Sequence, residues 1–127
     1  MIRKLAIALA VMILAGCSDN STGPSKPPPS TPTKTIVQVK NNVFSPKDLT
    51  VARGDTVVWF NAGSAGHTTT SGTGCSPDGL WDSGSLGSGE SFSVVFSDAG
   101  VAQTGTIPYY CIPHCAVGMK GTVTVTP

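Results

Sequence analysis

Close to its C-terminus the chain reads Tyr109-Tyr110-Cys111-Ile112-Pro113-His114-Cys115-Ala116-Val117-Gly118-Met119. This segment offers a thiolate, an imidazole and a thioether in the order C-x2-H-x4-M, a set of soft and borderline ligands that suits copper. Mononuclear copper sites of the electron-transfer type use two His and one Cys in a plane, with a weak axial Met. One imidazole is therefore missing from the segment and has to come from elsewhere in the chain.

The missing imidazole is predicted to be His67. The chain contains two histidines, and His67 lies in Ala65-Gly66-His67-Thr68-Thr69-Thr70-Ser71, just after a strand-like run. Loops between the strands of a β-sandwich cluster at its ends, so ligands that are distant in sequence can meet there. The sequence therefore predicts one copper site, and its ligands are His67, Cys111, His114 and Met119.

From Thr35 onward the chain reads as short β-strands. Val37 and Val39 alternate with polar residues, as do Phe92, Val94 and Phe96 and the closing Val123 and Val125. The run from Thr56 to Phe60 is apolar on both faces, as expected of a strand covered on both sides. Strands separated by Gly, Pro and Asx turns indicate a single all-β domain, an antiparallel sandwich or barrel spanning residues 35–127.

Several segments outside the Cys-His-Met loop resemble one known family, the cupredoxins, and within it the plastocyanin and pseudoazurin branch. The C-x2-H-x4-M spacing also resembles this family, and the other segments occur along the chain in the same order as in the family. They are Val43-Phe44-Ser45-Pro46, Leu49-Thr50-Val51, Gly54-Asp55-Thr56-Val57-Val58-Trp59-Phe60-Asn61, Trp81-Asp82-Ser83-Gly84 and Met119-Lys120-Gly121-Thr122-Val123-Thr124-Val125. The stretch that separates Gly100 from the Cys strand is longer than in relatives and is interpreted as a longer surface loop.

The resemblance implies a Greek-key β-sandwich or barrel that holds one type 1 copper and carries single electrons. It implies that His114 is the exposed ligand within a small apolar patch where redox proteins dock, that Met119 is the axial ligand, and that the backbone amide of Thr68 orients the thiolate. The expected protein is a monomer and not an enzyme. A copper-binding or copper-delivery protein without a redox role is the alternative.

The first 17 residues are predicted to be a signal peptide rather than part of the fold. Arg3 and Lys4 precede an apolar run that is too short to span a bilayer. Leu14-Ala15-Gly16-Cys17 resembles a bacterial lipobox, which implies cleavage before Cys17 and its lipidation.

Residues 18–34 are rich in Ser, Thr and Pro and are interpreted as a flexible linker. The protein is thus expected in the periplasm or on the outer cell surface, held by a lipid anchor alone. Ser18 slightly favours the outer membrane, because Asp at this place favours inner-membrane retention.

Two further cysteines, Cys75 and Cys115, leave two interpretations open. In an oxidising compartment such a pair suggests a disulfide, here between the two ligand-bearing loops. Alternatively Cys115 contacts metal, since Cys111 and Cys115 have the C-x3-C spacing of the binuclear purple copper centre. The positions where that centre has its next His and Met hold Met119 and Thr122, which breaks the pattern.

The charges exclude one class of partner and indicate no other. The formal net charge is +1, and the basic and acidic residues are scattered. A basic cluster that would suggest nucleic-acid binding is missing from the sequence. The sequence also shows neither a phosphate-binding loop nor an arrangement of nucleophile and base that would predict an enzyme.

Overall fold

The structure, a computed structural model, describes residues 30–127. The predicted signal peptide, the lipidation site Cys17 and the linker up to residue 29 lie outside these residues. Within the described part, no helix is both long and apolar enough to cross a membrane.

Nine strands and one 3₁₀ segment make up the described chain. The strands are β1 (Lys34–Lys40), β2 (Val43–Ser45), β3 (Asp48–Ala52), β4 (Thr56–Asn61), β5 (Thr70–Thr73), β6 (Ser76–Asp82), β7 (Ser91–Val95), β8 (Gly105–Tyr110) and β9 (Lys120–Thr126). The 3₁₀ segment, Ile112–Val117, lies between β8 and β9 and carries part of the predicted ligand set.

The strands form two sheets that pack face to face. The first sheet has the order β2-β1-β4-β7, and the second has the order β3-β9-β8-β5-β6. The predicted all-β sandwich is therefore confirmed. The antiparallel pairing that was predicted holds for the other strand pairs but is wrong for β1–β4 and β3–β9, which are parallel, so each sheet is mixed. Strand β8 leads to Cys111, and strand β5 follows the loop that carries His67. These two strands lie side by side in the second sheet.

Side chains that alternate along the strands fill the space between the sheets. Val37 and Val39 of β1 are fully buried, as their alternation predicts. Trp59 of β4 lies at the centre, with its ring centroid 5.4 Å from that of Tyr109 and 5.5 Å from that of Trp81. The two-sided burial predicted for β4 holds only in part, because Phe60 on its outer face is 39% exposed. This core cluster also contains Cys111 and Met119, so it is continuous with the predicted ligand segment.

The loop before β8 does more than extend the surface. Val101 is buried and belongs to the core cluster, and its backbone N–H donates to the carbonyl of Val95 at 2.9 Å. Gly100 is needed for this approach, because a Cβ there would lie 2.2 Å from the Val95 oxygen. The interpretation as a surface loop is therefore wrong for Val101. Alternation patterns do not reveal a single apolar residue that a loop turns inward.

Candidate metal centre

His67 is held at the end of the sandwich by its backbone. Its N–H donates to the carbonyl of Leu86 at 3.1 Å, and the Leu86 N–H donates to the carbonyl of His67 at 2.7 Å. The imidazole is 1% exposed. These two hydrogen bonds attach the loop between β4 and β5 to the segment between β6 and β7. The backbone of His67 is therefore held in place, and with it the direction in which its side chain leaves the backbone.

Asn61 organises the loop that carries His67. Its amide Nδ2 donates to the carbonyl oxygens of Ala65 at 2.7 Å and Leu86 at 2.9 Å, and its Oδ1 accepts from the N–H of Gly63 at 3.0 Å. The side chain is fully buried. Asn61 was not among the predicted site residues, although Asn two residues before Gly is a signal for an Asx turn.

Replacement of Asn61 by Ala is expected to destabilise the protein and loosen His67. The N–H of Gly63 and the carbonyl of Ala65 would lose their partner, and the buried Leu86 carbonyl would keep only its bond from the His67 N–H. Each lost hydrogen bond costs about 0.5–1.5 kcal/mol, and more where a buried group is left unsatisfied. We expect the free energy of unfolding to fall by about 3 kcal/mol, measured by urea titration of the metal-free protein. Asn61→Asp keeps the acceptor for Gly63 but places a carboxylate oxygen against the carbonyls of Ala65 and Leu86 in a fully buried position, so it should lose at least as much. A change below about 0.5 kcal/mol in Asn61→Ala would contradict this role.

Cys111 follows β8 directly, and a tight turn brings the chain back to it. The 3₁₀ segment begins after Cys111 with Pro113 in its first turn, and Gly118 ends it in the left-handed conformation at φ 90°. The Cys111 N–H then donates to the carbonyl of Met119 at 3.1 Å, and the Met119 N–H donates to the carbonyl of His114 at 3.2 Å. The three predicted ligands of this segment thus belong to one hydrogen-bonded turn.

The structure brings two imidazoles and one thiol together. The Nδ1 atoms of His67 and His114 lie 3.7 and 3.4 Å from the Sγ of Cys111, and the three ligand atoms lie within 4.8 Å of one another. Zinc serves as a guide to the expected distances: its bonds are about 2.3 Å to sulfur and about 2.0 Å to nitrogen. In a trigonal plane, such bonds place the sulfur about 3.7 Å from each nitrogen, which is close to the two sulfur–nitrogen distances here. The spacing of these side chains therefore fits a bound copper.

Met119 and His114 complete the predicted set in different ways. Met119 is 1% exposed and packs in the same core cluster as Cys111. His114 is half-buried, so it forms the boundary between the site and solvent. The assignment of all four residues as ligands stays a prediction. Their positions at one end of the sandwich agree with it.

The electrostatics of the site favour neutral imidazole. Burial lowers the pKa of His67, and repulsion from the neighbouring His114 lowers it further. The two rings have their centroids 4.8 Å apart. Neutral imidazole is the form that binds a metal, so this environment suits a ligand. The Nε2 atom of His67 is buried and has no hydrogen-bond partner among the described residues, so the polar contact of this ring is the one that its Nδ1 makes with the Cys111 sulfur.

Thr68 contacts the thiolate segment twice. Its N–H donates to the Sγ of Cys111 at 3.3 Å, as the resemblance implied for this amide. Its hydroxyl Oγ1 also accepts a hydrogen bond of 2.8 Å from the N–H of Ile112, a contact that the sequence did not predict. Hydrogen bonds to the sulfur and to its neighbour restrain the position of Cys111.

A disulfide joins Cys75 to Cys115, with their Cα atoms 5.9 Å apart. Cys75 lies in the turn between β5 and β6, and Cys115 lies directly after His114. Among the described residues, Cys111 is the free cysteine. A Cys115 in a disulfide offers no thiolate, so this arrangement does not fit the binuclear purple centre.

Comparison with known proteins agrees with the fold and the site. A family described as "Copper binding proteins, plastocyanin/azurin family" matches residues 33–126. The chain is 36% identical to plastocyanin of Scenedesmus fuscus over 89 residues, which cover 65% of this chain and 86% of that protein. It is 35% identical to plastocyanin of Daucus carota over 91 residues, which cover 66% of this chain and 88% of that one.

Solved structures show the same architecture. A structure titled "Novel Purple Cupredoxin from Nitrosopumilus maritimus" superposes with a TM-score of 0.63 at 28% identity, covering 72% of this chain and 99% of that one. A mutant plastocyanin of fern superposes with a TM-score of 0.57 at 27% identity, covering 72% of this chain and 100% of that one. The sandwich and its His/Cys/His cluster thus define a cupredoxin with a copper cofactor. The chain belongs to the plastocyanin/azurin family of copper-binding proteins.

Proposed function

We propose that this protein carries single electrons through one copper held by His67, Cys111, His114 and Met119, and that it is not an enzyme. The buried His67/Cys111/His114 cluster is the observation that carries the proposal. Copper supplies the electron exchange by alternating between its +1 and +2 states. The relatives named plastocyanin belong to the same copper-binding family and support this assignment.

The chain's own residues contribute rigidity and exclusion of water. The reciprocal backbone pair at His67 and the hydrogen-bonded turn from Cys111 to Met119 hold the ligands in fixed positions. Such a frame keeps nearly the same ligand positions for both oxidation states, which lowers the reorganisation that accompanies electron transfer. Cys111 is fully buried, so water does not compete for its sulfur.

We further propose that redox proteins dock around His114. The half-buried imidazole lies in a segment with two exposed apolar side chains, Ile112 at 51% and Val117 at 72% exposure. Apolar surface around a ligand that reaches solvent permits close approach of a partner without a large desolvation cost. The electron would leave through the His114 ring, because it is the ligand nearest to solvent.

The proposed location is the periplasm or the outer cell surface. The disulfide between Cys75 and Cys115 supports an oxidising compartment. A lipid on Cys17 would tether the protein to the membrane.

The visible absorption spectrum of the purified protein after addition of Cu(II) tests the electron-carrier function. We expect an intense blue band from thiolate-to-copper charge transfer with one copper per chain. Ascorbate should bleach the band, and ferricyanide should restore it through repeated cycles. The same protein loaded with Zn(II) is the control and should stay colourless. Tight Cu(I) binding that yields no strong colour with Cu(II) would contradict the carrier function and favour copper delivery.

A further inference from the structure

A row of hydrogen bonds connects the end of β6 to the segment that carries Cys111. The N–H of Ile112 donates to Thr68 Oγ1 at 2.8 Å, and Thr68 Oγ1 lies 3.2 Å from Thr70 Oγ1. Thr70 Oγ1 donates to Asp82 Oδ1 at 3.1 Å. The row crosses from β6 through the start of β5 to the residue after Cys111. We call it the Asp82 relay.

The chemistry of the groups fixes the direction of every hydrogen bond in the Asp82 relay. An ionised carboxylate only accepts, so the single hydroxyl proton of Thr70 goes to Asp82. Thr70 Oγ1 can then only accept from Thr68, whose own proton is used for that bond. Thr68 Oγ1 is left as an acceptor for the N–H of Ile112. All donors therefore point towards the carboxylate, and bonds aligned in this way strengthen one another.

Both ends of Thr68 act on the same thiolate. Its backbone N–H donates to Cys111 Sγ at 3.3 Å, and its hydroxyl holds the backbone one residue after Cys111. Thr70 is fully buried and Thr68 is 8% exposed, so the middle of the relay is shielded from water, whereas Asp82 at its end is exposed. The N–H of Gly84 donates to Asp82 Oδ1 at 3.0 Å and keeps the carboxylate in place.

We propose that Asp82 is a positioning residue: through Thr70 and Thr68 it fixes the backbone amides of Thr68 and Ile112 beside the Cys111 thiolate and so tunes the bound copper. The part about copper rests on the proposed function, whereas the part about the backbone does not. Asp82 does not touch the ligands. It acts through the hydroxyl groups of Thr70 and Thr68, each of which has one permitted orientation while the carboxylate is present.

The first test uses the copper-free protein and follows the Ile112 amide by NMR. Asp82→Ala and Thr70→Val should each free the Thr68 hydroxyl to rotate and so weaken its bond to the Ile112 N–H. The Ile112 proton resonance should move upfield and its hydrogen exchange should become about two- to tenfold faster, with complete loss of the bond as the upper limit. Thr70→Ser keeps the hydroxyl and should resemble the parent protein. The double variant should equal Thr70→Val alone, because both changes break the same chain. Asp78→Ala is the matched control. It removes a nearby carboxylate that accepts from Ser71 and Leu80 instead, so the Ile112 amide should not change.

The second test loads the same variants with Cu(II). Asp82→Ala and Thr70→Val should both shift the charge-transfer band, and both should shift the reduction potential, with the same direction of change in the two variants. The controls Asp78→Ala and Thr70→Ser should change neither quantity. An unchanged Ile112 amide in Asp82→Ala, or additive effects in the double variant, would overturn the relay. An altered amide with an unchanged band and potential would overturn the tuning of copper. If the parent protein forms no coloured complex, the proposed function fails, and the amide measurements still decide the positioning role of Asp82.

Discussion

Cys111→Ser is expected to abolish the intense visible band and to weaken Cu(II) binding by more than about 100-fold. The reason is that Cys111 is the free thiol among the described residues and lies 3.7 and 3.4 Å from the two imidazole nitrogens. Changes to groups that only support the ligands of a metal already cost about 10–100-fold in affinity, so loss of the thiolate itself should cost more. Titration with Cu(II) against a competing chelator, with absorption recorded at each step, measures both quantities.

The control for this experiment is a variant that lacks the other two cysteines of the domain. Cys75→Ser/Cys115→Ala should keep the blue band, since neither residue offers a thiolate in the disulfide-bonded protein. Far-ultraviolet circular dichroism of Cys111→Ser should match the parent protein, because Ser is close to Cys in shape. A blue complex in Cys111→Ser, or loss of the band in the double variant alone, would show that the ligand assignment is wrong.

The parts of the protein that follow short-range rules could be predicted from sequence. The alternation of Val37 and Val39 predicts which face of β1 is buried, and this is observed. The spacing C-x2-H-x4-M places Cys111 and His114 within one turn of chain, so their proximity requires little knowledge of the tertiary fold. The second imidazole could be assigned because the chain has two histidines.

The features that the sequence did not reveal depend on long-range contacts. Asn61 reaches Leu86, which is 25 residues away, and Asp82 reaches Thr70 through the register of β5 with β6. Polar residues at such positions resemble ordinary turn and strand-end residues until the partner strands are placed. Val101 was missed for the same reason, since the core position that it fills is created by other elements. The supporting residues of the site are therefore harder to predict than its ligands.

Removal of the disulfide is expected to lower the free energy of unfolding by about 4 kcal/mol. Cys75 and Cys115 are 40 residues apart in sequence, and closing a loop of that length restricts the unfolded chain by about this amount in the chain-entropy model. Small domains have about 5–15 kcal/mol in total, so the effect is large. Urea unfolding of the copper-free Cys75→Ser/Cys115→Ala variant measures it. The Ala at 115 avoids placing a hydroxyl at a site that is 3% exposed.

The disulfide should also stabilise the copper site, because Cys115 follows His114 directly. With the bridge broken, the turn between β5 and β6 no longer restrains the 3₁₀ segment, and we expect copper to dissociate faster while the blue band remains. Reduction of the parent protein offers a second route to the same state, since Cys75 is exposed to a thiol reductant. Reduced parent and double variant should agree in stability, measured without copper, and the copper dissociation rate is measured on the double variant alone, because free thiols bind copper themselves. If both match the oxidised parent instead, the bridge stabilises neither the fold nor the site, and the hydrogen-bonded turn from Cys111 to Met119 is sufficient to hold His114.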